Sequence, residues 1–146
     1  GVPPVDPNPM PDIVLRDPSN WGKVNHAMQQ VVHGARGTAR VAGVGAQYLI
    51  AGKSGTAQVV AIKQGEKYDR SKVQERHRDH ALFVGFAPAN NPQIAVSVMI
   101  ENGEAGSRVA SPVVRSVMDA WLLGEDGKLK PEYASVSKAE ATANDE

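Results

Sequence analysis

The stretch Ala51-Gly-Lys-Ser-Gly-Thr-Ala-Gln-Val-Val60 (AGKSGTAQVV) decides how this chain is read. Its first six residues join a lysine, two hydroxyl residues and two glycines, a mixture that holds anions. Its Gly52-Lys53-Ser54 triplet is also the tail of a nucleotide-binding P-loop. That motif requires a glycine five positions before Gly52 and a helix following the loop, whose N-terminal amides hold phosphate. Position 47 is glutamine, and the residues after Gly55 run into Val59, Val60 and Ile62 with no helix cap. Both requirements fail, so ATP and GTP chemistry is set aside. What remains is a strand, predicted over residues 54–62 from its β-branched residues. In extended chain Ser54 and Thr56 share one face, while Lys53 points to the other. Gly55 leaves the backbone uncovered, so an extended ligand could lie beside the strand as an added one. The plainer alternative is an edge strand whose lysine deters aggregation.

Outward from this strand, Ala81–Ala87 (ALFVGFA) and Gln93–Ile100 (QIAVSVMI) are apolar runs of strand length separated only by Pro88-Ala-Asn-Asn-Pro92. A link this short forces the two strands to run antiparallel, because a parallel pair needs a crossover of about a dozen residues. Their unbroken apolarity predicts a sheet covered on both faces. Two helices are available as cover. Asp17-Pro18 is an N-cap followed by a first-turn proline, and Trp21, Val24, Met28, Val31 and Val32 recur at helical spacing, giving a helix over 18–33. Ser111-Pro112 repeats the signal, with Val113, Val114, Val117, Met118, Trp121 and Leu122 as the stripe of a helix over 111–123. The glycines at 34, 37, 43 and 45 predict turns between the first helix and the sheet. The fold class is therefore α+β, an antiparallel sheet covered by helices. Residues 1–17, with half of the prolines, read as an extended connection; 18–124 as the folded part; 125–146 as a polar, disordered tail.

Composition narrows the function. The 146 residues carry 16 basic and 16 acidic side chains, so the field that a nucleic-acid binder needs is missing. There is no cysteine, which removes thiolate nucleophiles and cysteine-bound zinc. No apolar run is long enough to span a bilayer, and the opening Gly1-Val-Pro-Pro4 is unlike a signal peptide. A start without methionine inside a proline-rich stretch predicts a piece of a longer protein.

Other side chains invite weaker readings. His26, His33, His77 and His80 suggest a metal, but even the closest pair, His77 and His80, has no helix to align it and no evident third ligand, so no metal is expected. Asp79-His80 is read as shaping the start of the second strand. Arg70, Lys72, Arg76 and Arg78 alternate with Glu66, Asp69, Glu75 and Asp79, the pattern of a solvated loop rather than of an anion-binding patch. Trp21 and Trp121 are assigned to core packing rather than to sugar stacking.

Lys53-Ser54-Gly55-Thr56 resembles the lysine–hydroxyl–glycine signature of the penicillin-recognising serine transpeptidases and β-lactamases. The resemblance sharpens with the order GTARV (37–41), YLIAGKSGTAQVV (48–60), DHALFVGFAP (79–88), IAVSVMIEN (94–102) and a final helix opening SPVV. This succession resembles the C-terminal part of the transpeptidase domain of class B penicillin-binding proteins, in particular the rod-elongation type of Gram-negative bacteria, over roughly residues 13–124. The fold so implied is the penicillin-binding, serine β-lactamase-like one. The activity implied is peptidoglycan D,D-transpeptidation: a serine attacks the bond between two terminal D-alanines, and an amine of a neighbouring stem peptide takes the acyl group. By the same resemblance, Lys53 and Thr56 are catalytic, Lys53 through its positive potential near the nucleophile and Thr56 through a backbone N–H donated to the oxyanion. Ser54, Gly55 and Thr56 bind substrate, the two hydroxyls holding the terminal carboxylate of the stem peptide or β-lactam and Gly55 admitting it.

The family also needs a serine followed three residues later by lysine at a helix start, and a second motif of serine, any residue, asparagine. Neither precedes the strand here. Ser135-Val-Ser-Lys138 has the first spacing but lies in the polar tail, with no apolar face to seat it. The chain is expected to supply one wall of a site whose nucleophile lies elsewhere, and to be inactive alone. The resemblance implies no cofactor. It implies stem peptides, β-lactams, the remainder of its own transpeptidase domain, a SEDS-type glycan polymerase and elongation scaffold proteins as partners, and the periplasmic face of the inner membrane as the location. Two alternatives stay open: a non-catalytic module binding peptides or a partner's strand, and a β-lactamase or β-lactam sensor.

Overall fold

A computed structural model describes residues 11, 13–60, 65, 69, 71 and 73–134. The opening segment 1–10, the last two residues of the predicted first strand, Glu66, Arg70, Lys72 and the tail from Ser135, with its Ser135–Lys138 spacing, lie outside the described residues.

The first helix, α1 (Ser19–His33), starts one residue later than the predicted 18–33: Pro18 occupies the N-cap position, and the Asp17 carboxylate just before it accepts the Ser19 N–H at 2.9 Å. A short turn of helix, α2 (Arg40–Gly43), follows within the glycine-rich segment where only turns were expected. The sheet is β1 (Ala51–Ala57), β2 (His80–Ala87) and β3 (Ile94–Ile100), in the order β1-β2-β3 with both pairs antiparallel. β1 starts three residues earlier and ends five earlier than the predicted 54–62. Pairing sets these limits: the register runs from Ala51 opposite Phe86 to Ala57 opposite His80, the first residue of β2. Beyond it Val59 donates its N–H to the Asp79 carboxylate at 3.3 Å instead of to a ladder partner. β-Branched residues alone do not extend a strand whose neighbour has run out.

A single π-helical turn (Gly106–Ala110) leads directly into α3 (Ser111–Leu122). Ser111 therefore does not cap this helix as expected. It is buried, already helical, and its hydroxyl donates to the Ser107 carbonyl at 2.7 Å, because the preceding turn has satisfied the amides that a cap would serve. A bridge between Leu123 and Leu129 then folds the chain back to α4 (Pro131–Ala134).

The core gathers Val32 of α1, Ala39, Ala42, Tyr48 and Ile50 of the connection, Phe83 and Ala87 of β2, and Val114, Met118 and Leu122 of α3. Arg115 ties this assembly together: its Nε donates to both oxygens of Asp119 at 2.7 and 2.8 Å, and its Nη1 to the Ala42 carbonyl at 2.8 Å. The Tyr48 hydroxyl donates to the same Asp119 carboxylate at 2.6 Å, and burial with that carboxylate raises its pKa well above the usual phenol range.

The expectation of a sheet covered on both faces holds for one face of the described residues. Ala81, Phe83, Gly85 and Ala87 of β2 are buried, whereas Val84 on the other face is 45% exposed and Met99 of β3 58%. The helical stripes are narrower than read, too: Val114, Met118 and Leu122 are buried, but Trp121 is 53% and Trp21 57% exposed. Both tryptophans were assigned to the core. Trp121 instead carries Lys130 over its ring at 6.0 Å, and Trp21 lines an apolar groove of about 300 Å³ with Met28, Phe86 and Pro92.

Candidate active site

β1 is an edge strand among the described residues, and its central four residues are Lys53, Ser54, Gly55 and Thr56. Period-two alternation separates them as the sequence predicted. Ser54 and Thr56 lie opposite Phe83 and Ala81 on the face that carries the core, whereas Lys53 and Gly55 lie opposite Val84 and Leu82 on the open face. None of the four is sealed in the interior: Lys53 and Thr56 are exposed, Ser54 and Gly55 half-buried. The Lys53 ammonium folds back onto the Ser54 carbonyl at 2.7 Å. The Thr56 hydroxyl donates to the Glu104 carbonyl at 3.4 Å.

Glycines on this strand differ in why they are glycine. A Cβ at Gly52 would stand 2.6 Å from the Phe83 ring, so packing within the chain forbids one. A Cβ at Gly55 would meet only the Leu82 Cβ, at 3.4 Å, an ordinary contact. Nothing among the described residues requires a glycine at 55.

The strand is anchored at each end. At its start the Ile50 N–H donates to His33 Nε2 at 2.9 Å. Partial burial of that ring, with Arg115 nearby, lowers the His33 pKa from its ordinary value. At its far end, Asp79, 7% exposed, accepts the Val59 N–H through its side chain and the Glu104 N–H, at 2.9 Å, through its carbonyl. His80 Nδ1 accepts the Asn102 N–H at 3.0 Å. Asp79-His80 thus does shape the start of β2, and joins it to the loop after β3. His26, His33, His77 and His80 do not converge, and no group of three potential ligands forms among the described residues. Arg76 and Arg78 lie at a 3₁₀ turn, Glu75–His77, in the charged loop.

The sequence reading missed Asn102 and Glu104, both in left-handed backbone at φ 57° and 62°. The Asn102-Gly103 pair after an apolar strand was the available signal, since asparagine tolerates this region better than most residues.

A sequence profile described as the penicillin-binding protein transpeptidase domain matches residues 6–119. The chain is 43% identical over 117 residues to the peptidoglycan D,D-transpeptidase MrdA of Haemophilus influenzae, covering 80% of this chain and 18% of that protein. It is 47% identical over 104 residues to MrdA of Acinetobacter baumannii, covering 71% of this chain and 15% of that protein. Among solved structures, Pseudomonas aeruginosa PBP2 in complex with WCK 5153 matches 91% of this chain and 26% of that one, with a TM-score of 0.77 and 69% identity. The complex of PBP2 and MreC from Helicobacter pylori matches 73% of this chain and 18% of that one, with a TM-score of 0.57 and 27% identity. The chain thus spans less than a fifth of the length of these two curated relatives.

Proposed function

As the chain belongs to the penicillin-binding protein transpeptidase family, we propose that it forms one wall of a D,D-transpeptidase active site that cross-links peptidoglycan stem peptides and is acylated by β-lactams. The nucleophilic serine comes from other sequence of the parent protein. The remainder of the transpeptidase domain covers the open face of the sheet, where Lys53 projects beside Val84 and Leu82. By itself the chain is inactive.

One observation carries this reading. Gly55 sits at the centre of an accessible edge strand, and the described chain gives no steric reason for a glycine there. A demand from outside supplies the reason: a peptide laid along β1 approaches the backbone where a side chain would obstruct it. Lys53 then provides positive potential next to the serine, which acts as nucleophile once its proton is removed. The Ser54 and Thr56 hydroxyls hold the terminal carboxylate, and the Thr56 N–H donates to the oxyanion that develops on the attacked carbonyl. The relatives named as peptidoglycan D,D-transpeptidase MrdA support the reaction class. The relative solved with MreC supports elongation scaffold proteins as partners. A SEDS-type glycan polymerase and a position at the periplasmic face of the inner membrane complete the proposal. No helix among the described residues is long and apolar enough to cross a membrane, so an anchor would lie in other sequence.

The test uses the full-length protein and a fluorescent penicillin. Lys53→Ala should abolish or greatly slow acylation with the fold retained. Thr56→Val keeps the branched shape and removes one hydrogen bond to a charged group, worth about 1.5 to 3 kcal/mol, so acylation should fall at least tenfold. Native labelling rates in both variants would refute the proposal. Slow release of the label distinguishes a transpeptidase from a β-lactamase.

A further inference from the structure

The loop after β3 is tied both to the start of β2 and to the Thr56 end of β1. Asn102 donates its N–H to His80 Nδ1 at 3.0 Å and its side-chain amide to the Arg78 carbonyl at 3.0 Å, and it holds a positive φ. Two residues later Glu104, also at positive φ, donates its N–H to the Asp79 carbonyl at 2.9 Å. The carbonyl of the same Glu104 accepts the Thr56 hydroxyl proton at 3.4 Å. Gly106 then lies so close to the sheet that a Cβ would stand 2.0 Å from the Leu82 carbonyl oxygen and 2.7 Å from that of Gly55. The loop is therefore pinned on both sides of Glu104, and the position of the Glu104 carbonyl is fixed relative to β1.

We propose that Asn102 is a positioning residue for the Thr56 hydroxyl: through the loop it pins, it sets the Glu104 carbonyl that aims that hydroxyl before substrate arrives. This rests on the carboxylate-binding role proposed above for Thr56. A threonine hydroxyl has a single proton to donate, and here it is directed at the Glu104 carbonyl. At 3.4 Å that bond is long, whereas a carboxylate accepts a shorter, charge-assisted one. An incoming carboxylate therefore takes over the proton of a hydroxyl already held in one rotamer, instead of having to order it. If the loop loosens, Thr56 loses its aim while the sheet stays paired.

The experiment is a double-mutant cycle on the acylation rate of the full-length protein by a fluorescent penicillin, with thermal melts confirming folding. Asn102→Asp retains the tolerance for positive φ but cannot donate to the Arg78 carbonyl; Asn102→Ala removes both features. In the native background Asn102→Asp should slow acylation about tenfold, the size of one hydrogen bond to a charged group. In the Thr56→Val background the same substitution should change the rate less than about twofold, because its effect passes through the hydroxyl. Should Asn102→Ala fail to fold, the near-isosteric Asn102→Asp carries the test. An equal slowing in both backgrounds would mean a merely structural role, and no slowing in the native background would mean none; either overturns the inference and leaves the proposed function standing. A Thr56→Val protein acylated at the native rate would overturn the inference together with the carboxylate-binding role proposed for Thr56.

Discussion

Replacing Gly106 by alanine tests how tightly the loop after β3 is laid on the sheet. The added Cβ would stand 2.0 Å from the Leu82 carbonyl oxygen, 2.7 Å from the Gly55 carbonyl oxygen and 3.0 Å from the Leu82 carbonyl carbon. Close carbon–oxygen contacts begin at about 3.3 Å, so the new atom must move by more than 1 Å. All three obstacles are backbone. Leu82 belongs to the central strand, held by ladders to β1 and β3, and cannot yield without breaking them. The turn Gly106–Ala110 has to lift instead, which pulls on Glu104 and on the start of α3. Overpacking of a well-filled site costs about 1 to 3 kcal/mol, and with a rigid obstacle the upper end applies, so the expected loss is about 3 kcal/mol. Urea unfolding of the full-length protein measures it. Gly22→Ala is the control: nothing lies within 4 Å of its added Cβ, and in the body of α1 alanine should stabilise by about 0.5 to 1 kcal/mol. A Gly106→Ala protein within about 0.5 kcal/mol of the native one would refute this account of the loop.

Arg115→Met keeps a long apolar stem but leaves the Asp119 carboxylate and the carbonyls of Ala42, Val44 and Gly45 without their guanidinium donor. Because Asp119 retains 31% exposure, the cost should be nearer 2 kcal/mol than the roughly 3 to 5 of a fully buried broken pair, again read from urea unfolding. For His33 the folded-state pKa lies below the unfolded one, so the unfolded chain binds more protons as pH falls through the unfolded value. This histidine should contribute stability fully above about pH 6.5 and lose it below, as protonation removes the acceptor of the Ile50 N–H. Melting temperatures at pH 7.5 and 5.5 should therefore differ more in the native protein than in His33→Gln; an equal or larger difference in the variant would refute the assignment.

Much of the fold could be read without coordinates because its signals are local. The apolar runs at 81–87 and 94–100 with a five-residue link leave an antiparallel pair as the physical option, and helix α1 is announced by Asp17-Pro18 and its spaced apolar residues. The four residues of the candidate site were legible for the same reason: period-two alternation places Ser54 and Thr56 together and Lys53 opposite in any extended chain. The errors fall where a residue's state depends on what lies across from it. Ser111-Pro112 has the sequence of a cap, yet the turn before it is already helical. Trp21 and Trp121 follow a helical period, but the period says which residues share a side, not whether anything covers that side.

Sequence alone thus determined the types of the longer elements, α1, α3 and the three strands, the antiparallel pairing of β2 with β3, and which side chains share a face of β1; the short helices α2 and α4 escaped it. Tertiary structure decided where β1 stops, which face of the sheet is left open, and that the loop carrying Asn102 and Glu104 reaches the Thr56 hydroxyl. The division has one physical cause. Propensity and periodicity act over a few neighbouring residues and are written in their order, whereas the end of a ladder, the cover of a face and the partner of a hydroxyl are set by groups 20 to 50 positions away in the chain, which only the folded arrangement brings within reach.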